Sequence, residues 1–275
     1  MLCGRTMRNL KITLAYDGTD FYGWQVQPDR PTIQGTLADA LRRISAESVM
    51  PQGSGRTDAG VHALGQVASC AIASSIPAAN LVVALNDVLP AAIRVRRIEE
   101  APAEFHARKS ARAKSYQYRI FRGDICPPFL ARYVYHHPYP LDQQAMIAAA
   151  AEIVGEHDFT SLAAVDPEKR EELCGPGLRP GYTGQRPVPH EQESSNVRTV
   201  FCSQWLRAGD ELVYTIRGRG FLHHMVRNLV GMFLLIGKGS LRATDIARIL
   251  QARNRSANPG ATAPASGLCL ISVEY

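Results

Sequence analysis

Two periodicities of apolar residues run through this chain, and their order limits the fold more than any other feature. Over residues 9–16, Leu10, Ile12, Leu14 and Tyr16 alternate with Lys11, Thr13 and Ala15. A period of two puts one set on a buried face and the other on a wetter one, as a half-buried strand requires. Over residues 31–44 the period lengthens: Ile33, Leu37, Ala40, Leu41 and Ile44 share one side of a helix opened by Pro31 and Thr32. Residues 62–74 read as a strand, 77–88 as a short helix closed by Pro90, and 93–98 as a strand. The second half repeats the rhythm. Residues 114–121 alternate, 141–154 are Ala-rich and helical up to Gly155, and 197–206 and 211–217 pair around Ala208, Gly209 and Asp210. Residues 223–236 read as a helix with Gly237 as its C-cap, 241–252 as another helix, and 268–275 as a last strand. The expectation is an α+β fold of two similar halves, 1–104 and 105–275, with helices flanking a largely antiparallel sheet.

The chain's 275 residues can bury a core without disulfides or a structural metal. A hydrophobic fraction of 45% against 20% charged excludes wholesale disorder. Residues 166–195 are the exception, with five Pro, four Gly and ten charged residues in thirty, and read as an exposed insertion. The most apolar run, 229–237, is about half the length of a membrane-crossing helix, so no membrane association is expected. No apolar stretch follows Arg5 and Arg8, so no secretory signal is expected, and Met1 and Met7 both suit a start. Cys3, Cys70, Cys126, Cys174, Cys202 and Cys269 show no CxxC and no His at ligand spacing. They fit neither a zinc site nor a disulfide framework, and read as reduced thiols in a cytoplasmic protein.

A net charge of +6 and a pI near 9.1 suggest an anionic partner. The distribution is more telling. Between residues 105 and 122 stand Arg108, Lys109, Arg112, Lys114, Arg119 and Arg122 with no acid. Between 212 and 244 stand Arg217, Arg219, Arg227, Lys238 and Arg242, again with no acid. Both runs hold aromatics, which suits a groove for a polyanion whose bases stack.

Three clusters could carry chemistry. In Gly53-Ser54-Gly55-Arg56-Thr57-Asp58-Ala59-Gly60, small residues surround one cation and one carboxylate. Such a loop displays Asp58 to a ligand as a nucleophile or base, or simply caps a turn with it. No GxxxxGK[ST] spacing accompanies it, so it is not a nucleotide P-loop. In Lys114-Ser115-Tyr116-Gln117-Tyr118-Arg119, strand geometry puts the two tyrosines on one face and Gln117 and Arg119 on the other. In Gly220-Phe221-Leu222-His223-His224-Met225-Val226-Arg227-Asn228, helical spacing puts His223 with Arg227 and His224 with Asn228. A His pair invites a metal, but no HExxH or cysteine pattern supports one. Arg227 beside a carboxylate such as Asp58 would orient that acid and keep its charge. The aromatic loop Phe21-Tyr22-Gly23-Trp24-Gln25 serves equally as a substrate contact or as core packing.

These stretches resemble the tRNA pseudouridine synthase A family. The resemblance rests on Tyr16-Asp17-Gly18, Tyr22-Gly23-Trp24-Gln25, Gly55-Arg56-Thr57-Asp58-Ala59-Gly60-Val61-His62, Phe105-His106-Ala107-Arg108, Tyr116-Gln117-Tyr118, Asp158-Phe159-Thr160-Ser161 and His223-His224-Met225-Val226-Arg227-Asn228. They occur in the family's order over nearly the whole chain. The resemblance implies a pseudouridine synthase fold of two βαβ-type halves with sheets joined edge to edge. It implies isomerisation of uridine to pseudouridine at positions 38, 39 and 40 in the anticodon arm of tRNA, by a cytoplasmic homodimer without metal or organic cofactor. By the same resemblance Asp58 is the catalytic aspartate, Tyr116 packs on the target base, Arg227 pairs with Asp58, and Arg56 helps displace the base. Two features depart from the family: the long 166–195 insertion, and Gln117 where a basic residue is common, from which one weaker phosphate contact is expected.

Overall fold

The computed structural model describes residues 7–164 and 195–275. The insertion, apart from Ser195, lies outside the described residues, as do Met1, Cys3, Arg5 and Cys174. The alternation at the start of the chain is realised as β1 (Arg8–Tyr16), whose Leu10, Ile12 and Leu14 are fully buried. It is flanked by β3 (His62–Ile72) and β4 (Ile93–Ala101), both antiparallel to it. A two-residue strand, β2 (Gln52–Gly53), pairs with β3 inside the stretch expected to be all loop. In the second half, β5 (Ala113–Phe121) pairs with β9 (Glu211–Gly218), β9 with β8 (Val197–Ala208), and β8 with β7 (Gly155–Asp158). The short β6 (Tyr135–His136) runs parallel to the end of β5.

The final strand, β10 (Leu268–Glu274), links the two groups. It is antiparallel to β5 and parallel to β3, where Cys269 faces His62 and Leu270 faces Ala63. The result is one sheet in the order β4-β1-β3-β10-β5-β9-β8-β7. On β5, Tyr116 and Tyr118 are buried on one face, while Gln117 on the other faces Thr215 across the strand pair.

Helices cover the buried face. In α1 (Ile33–Ser45), Thr32 caps the start by accepting from the Gly35 amide at 3.3 Å, and Ile33, Leu37 and Leu41 are buried. In α2 (Ala78–Val88), Leu81 and Leu85 are buried. In α3 (Gln143–Ala151), Asp142 supplies the cap to the Ala145 amide at 2.9 Å. That helix is shorter than the Ala-rich pattern suggests, because the carboxylate cap sets its start and Gly155, at φ +114°, turns the chain into β7. Next come α4 (Met225–Gly237) and α5 (Asp245–Gln251), the latter shorter than the expected 241–252.

The apolar run at 229–237 lies within α4, where every residue except Arg227 and Leu235 is buried. Phe233 meets Tyr214 at 5.1 Å and Trp205 at 5.9 Å between ring centres. A helix apolar on all sides is here the centre of a globular core. No helix among the described residues is long and apolar enough to cross a membrane. Two expectations about α4 are corrected. His223 and His224 precede the helix, because His224 takes a left-handed backbone at φ +58°, which a right-handed helix cannot contain. Gly237 is the last helical residue and Lys238 the cap; the left-handed turn falls to Gly239 at φ +74°.

Candidate active site

Asp58 stands in the loop between β2 and β3, and that loop is fixed from below by buried hydrogen bonds. The Ser54 amide donates to the Val67 carbonyl at 2.7 Å, and its hydroxyl donates to Gln66 Oε1, also at 2.7 Å. Gln66 Nε2 donates to the Gly55 carbonyl at 2.9 Å and reaches the Tyr16 hydroxyl at 3.3 Å. The Tyr16 and Thr57 hydroxyls meet at 2.8 Å. Burial pushes the Tyr16 phenol far above its usual range, so it is a neutral hydrogen-bonding group. Lys114 Nζ donates to the Ser54 carbonyl at 2.5 Å. Its burial, then the nearby Arg108 charge, push its pKa down to about 8.

The aromatic loop holds the other side. The Trp24 amide donates to the Thr57 carbonyl at 3.0 Å, and the Gly60 amide to the Phe21 carbonyl at 3.2 Å. Gly23 has φ +85°, and a Cβ there would sit 2.5 Å from the Thr57 oxygen, so both backbone conformation and space demand glycine. A Cβ on Gly53 would lie 2.5–2.8 Å from the Trp24 indole, which rests directly on the loop. Trp24, only 2% exposed, is core packing for the Asp58 loop, whereas Tyr22 is 43% exposed and Gln25 lines a groove with Arg56.

The other half of the site comes from the second half of the chain. Arg227 Nη1 donates to Asp58 Oδ2 at 2.8 Å. Its Nε donates to the Ala263 carbonyl at 2.7 Å, which fixes the guanidinium plane. His224 Nε2 lies 3.3 Å from Asp58 Oδ2, and His223 Nε2 lies 3.6 Å from Oδ1. The two imidazoles are 3.9 Å apart at their centres and tilted by 32°. Asp58 thus meets the side chains of the N-cap and first turn of α4, the positive end of that helix. Burial lowers the His224 pKa below its ordinary value, against the raising effect of Asp58; His223, Arg227 and Arg255 add to the lowering. Tyr116 stands near enough to feel the Asp58 charge, its ring edge-on to Phe221 at 5.1 Å. Burial raises its pKa strongly, and the Asp58 charge adds to this.

Arg56 is exposed and lines a groove of about 420 Å³ with Trp24, Gln25, Gln52, His106, Arg108 and Lys109. This groove gathers the start of the first basic run. The rest of the two runs is divided: Arg119 is bonded to Glu211 and Arg217 to Glu274, each at 2.6 Å.

Asp58 and Arg227 are therefore in contact across 169 residues of sequence. The helical expectation for the His pair is corrected: His223 and His224 both face Asp58 from a turn. Asn228 is buried elsewhere, donating to the Leu162 carbonyl at 2.7 Å and accepting from Thr262 at 2.7 Å. Among the described residues, Asp58, His223 and His224 form a group whose donor atoms lie within 4.8 Å of one another, close enough to share a metal ion. Sequence reasoning missed Gln66, Phe221 and the support from Lys114. A polar Gln inside the apolar strand 62–74 was the available signal for the first.

The family profile for tRNA pseudouridine synthase matches residues 12–108 and 186–275. The chain is 46% identical over 269 residues to tRNA pseudouridine synthase A of Solibacter usitatus, covering 98% of this chain and 100% of that one. It is 42% identical over 268 residues to the enzyme of that name from Moorella thermoacetica, covering 97% and 99%. The corresponding figures for Halalkalibacterium halodurans are 41% over 263 residues, covering 95% and 90%.

Proposed function

The chain belongs to the tRNA pseudouridine synthase family and converts uridine to pseudouridine in tRNA; from that premise we propose that it acts on positions 38, 39 and 40 of the anticodon arm with Asp58 as the catalytic group. The observation that carries this reading is the Asp58 carboxylate held at 2.8 Å by Arg227, within reach of the buried Tyr116 phenol whose pKa its charge raises. The motifs around Asp58, Tyr116 and Arg227 support the choice of tRNA positions by their resemblance to the A branch of the family.

The chemistry explains the residue types. A paired or stacked uridine must leave its stack, which costs a few kcal/mol. Exposed Arg56, at the rim of the groove, is suited to occupy the vacated space. Isomerisation adds no atoms: the bond from N1 to C1′ breaks, the uracil turns, C5 bonds to C1′, the C5 proton leaves and N1 takes one up. Asp58 attacks C1′ or removes a ribose proton to give a glycal, and either route needs an oriented carboxylate. Arg227 orients it, and Ala263 in turn orients Arg227. Neutral Tyr116 offers its ring as a platform for the detached base. Arg108 and Lys109, from the first basic run, hold backbone phosphates, so affinity falls with salt.

We take residues 1–104 and 105–275 as the two halves of the catalytic unit, the working form as a homodimer in the cytoplasm, and the reaction as independent of metal and organic cofactor. The test uses unmodified tRNA transcripts with uridines at 38, 39 and 40, with chelator present. Pseudouridine is mapped by carbodiimide labelling and primer extension for wild type and Asp58→Asn. Product at those sites from wild type alone is expected. Product elsewhere removes the claimed target, and a fully active variant removes the role of Asp58.

A further inference from the structure

The His pair has no part in the reaction sequence above, yet both imidazoles point at its central carboxylate. We propose that Asp58, His223 and His224 form a binding site for a zinc-class divalent cation, and that occupancy switches the enzyme off by taking Asp58 from Arg227. The site itself stands on geometry; its effect on turnover rests on the role proposed for Asp58.

Two observations converge. First, the separations suit shared ligation. Zinc binds imidazole nitrogen and carboxylate oxygen at about 2.0–2.1 Å, so neighbouring ligands in a tetrahedral site lie about 3.3 Å apart. The distances from Asp58 to His224 and His223 are 3.3 and 3.6 Å, and all three donors fall within 4.8 Å. Second, the ligands are presented by fixed backbone. His224 is held in a left-handed conformation at the start of α4, the His223 carbonyl accepts from the Ala164 amide at 3.0 Å, and Asp58 sits in the braced loop. His223 Nδ1 is buried with no hydrogen-bond partner among the described residues, so a cation on Nε2 would leave the Nδ1 proton unpaired, which limits the affinity of the site. Two nitrogens and one carboxylate also match the ligand preference of zinc over that of magnesium or calcium.

Arg227 opposes the ion, and this sets the character of the site. The guanidinium and the cation compete for Oδ2, so binding is weaker than in a structural zinc site and reversible by chelator. Arg227 keeps its bond to the Ala263 carbonyl when the ion takes Asp58 from it.

Titration of the full chain with Co2+ tests the proposal directly. The expected result is the visible absorption of four-coordinate Co2+, displaced by one equivalent of Zn2+. Asp58→Asn and the double variant His223→Gln/His224→Gln should each weaken binding at least tenfold, with circular dichroism unchanged. Arg227→Met should tighten binding at least tenfold, an opposite sign that misfolding does not produce. Zn2+ should also inhibit wild-type isomerisation, with full recovery on chelation. No Co2+ spectrum at millimolar metal, or a spectrum undiminished in the double variant, overturns the site. Metal binding as expected without inhibition leaves the site and overturns the switch. An Asp58→Asn enzyme that loses the metal yet isomerises fully would instead remove the catalytic role of Asp58.

Discussion

The loop that carries Asp58 and the groove that starts at Arg56 are two residues apart in sequence, and they are built in opposite ways. The Asp58 loop is tied to Val67, Gln66, Tyr16, Trp24 and Lys114 by short buried bonds, and its carboxylate is met by Arg227 from the other half of the molecule. The groove is lined by long side chains, Arg56, Arg108 and Lys109 among them, and among the described residues neither Arg108 nor Lys109 is paired with an acid as Arg119 and Arg217 are. Position is set by the first and attraction by the second. A group that must meet one ribose carbon gains from rigidity, since a small misplacement costs much of its rate. Charges that gather a flexible polyanion gain little from rigidity, because released counterions supply the binding free energy.

The comparison is broken most severely if removing the carboxylate changes binding as much as chemistry. Asp58→Asn is expected to lower single-turnover isomerisation by about 10³-fold or more while tRNA affinity changes less than threefold, read by filter binding. Arg227→Met should cost about 10²-fold in the same rate, again with little change in affinity, since its contact is to Asp58. Gly53→Ala tests the support: the new methyl must displace Trp24, so chemical denaturation should show a loss of about 1–3 kcal/mol. Arg108→Ala and Lys109→Ala should leave the saturated rate intact and weaken binding. Removing one phosphate-binding cation should make the slope of log affinity against log salt shallower by about 0.9.

The smallest effect is in pH. The Lys114 amine titrates near pH 8 when folded and at about 10.4 when unfolded. Between those values the unfolded chain holds the extra proton, so stability rises with pH across that window. The difference in unfolding free energy between wild type and Lys114→Met should carry that slope; a flat difference would show that the amine is not held out of water.

The strands and the long helices were legible because burial imposes a period on them. β1, β5, β9 and β10 lie where alternation placed them, and α1 begins at the Thr32 cap. The errors cluster at helix ends and at buried polar residues. Periodicity cannot register a left-handed residue, so His223 and His224 were assigned to helix faces they do not occupy. Gln66 broke the pattern of an apolar strand, but its partners Ser54, Gly55 and Tyr16 come from other segments of the chain. The pairing of Asp58 with Arg227 was readable through family resemblance; no local rule joins residues 169 apart.

By itself the sequence determined the α+β class, the elements that bury one face, the basic balance and the family, because these follow from local periodicity, side-chain chemistry and motif order. The tertiary structure decided the rest. It placed β10 between the two groups of strands, turned two histidines onto Asp58, divided the basic runs between ion pairs and open groove, and made Trp24 a support for the Asp58 loop. Each depends on which distant segments share space once the core closes, and a one-dimensional pattern holds no record of that.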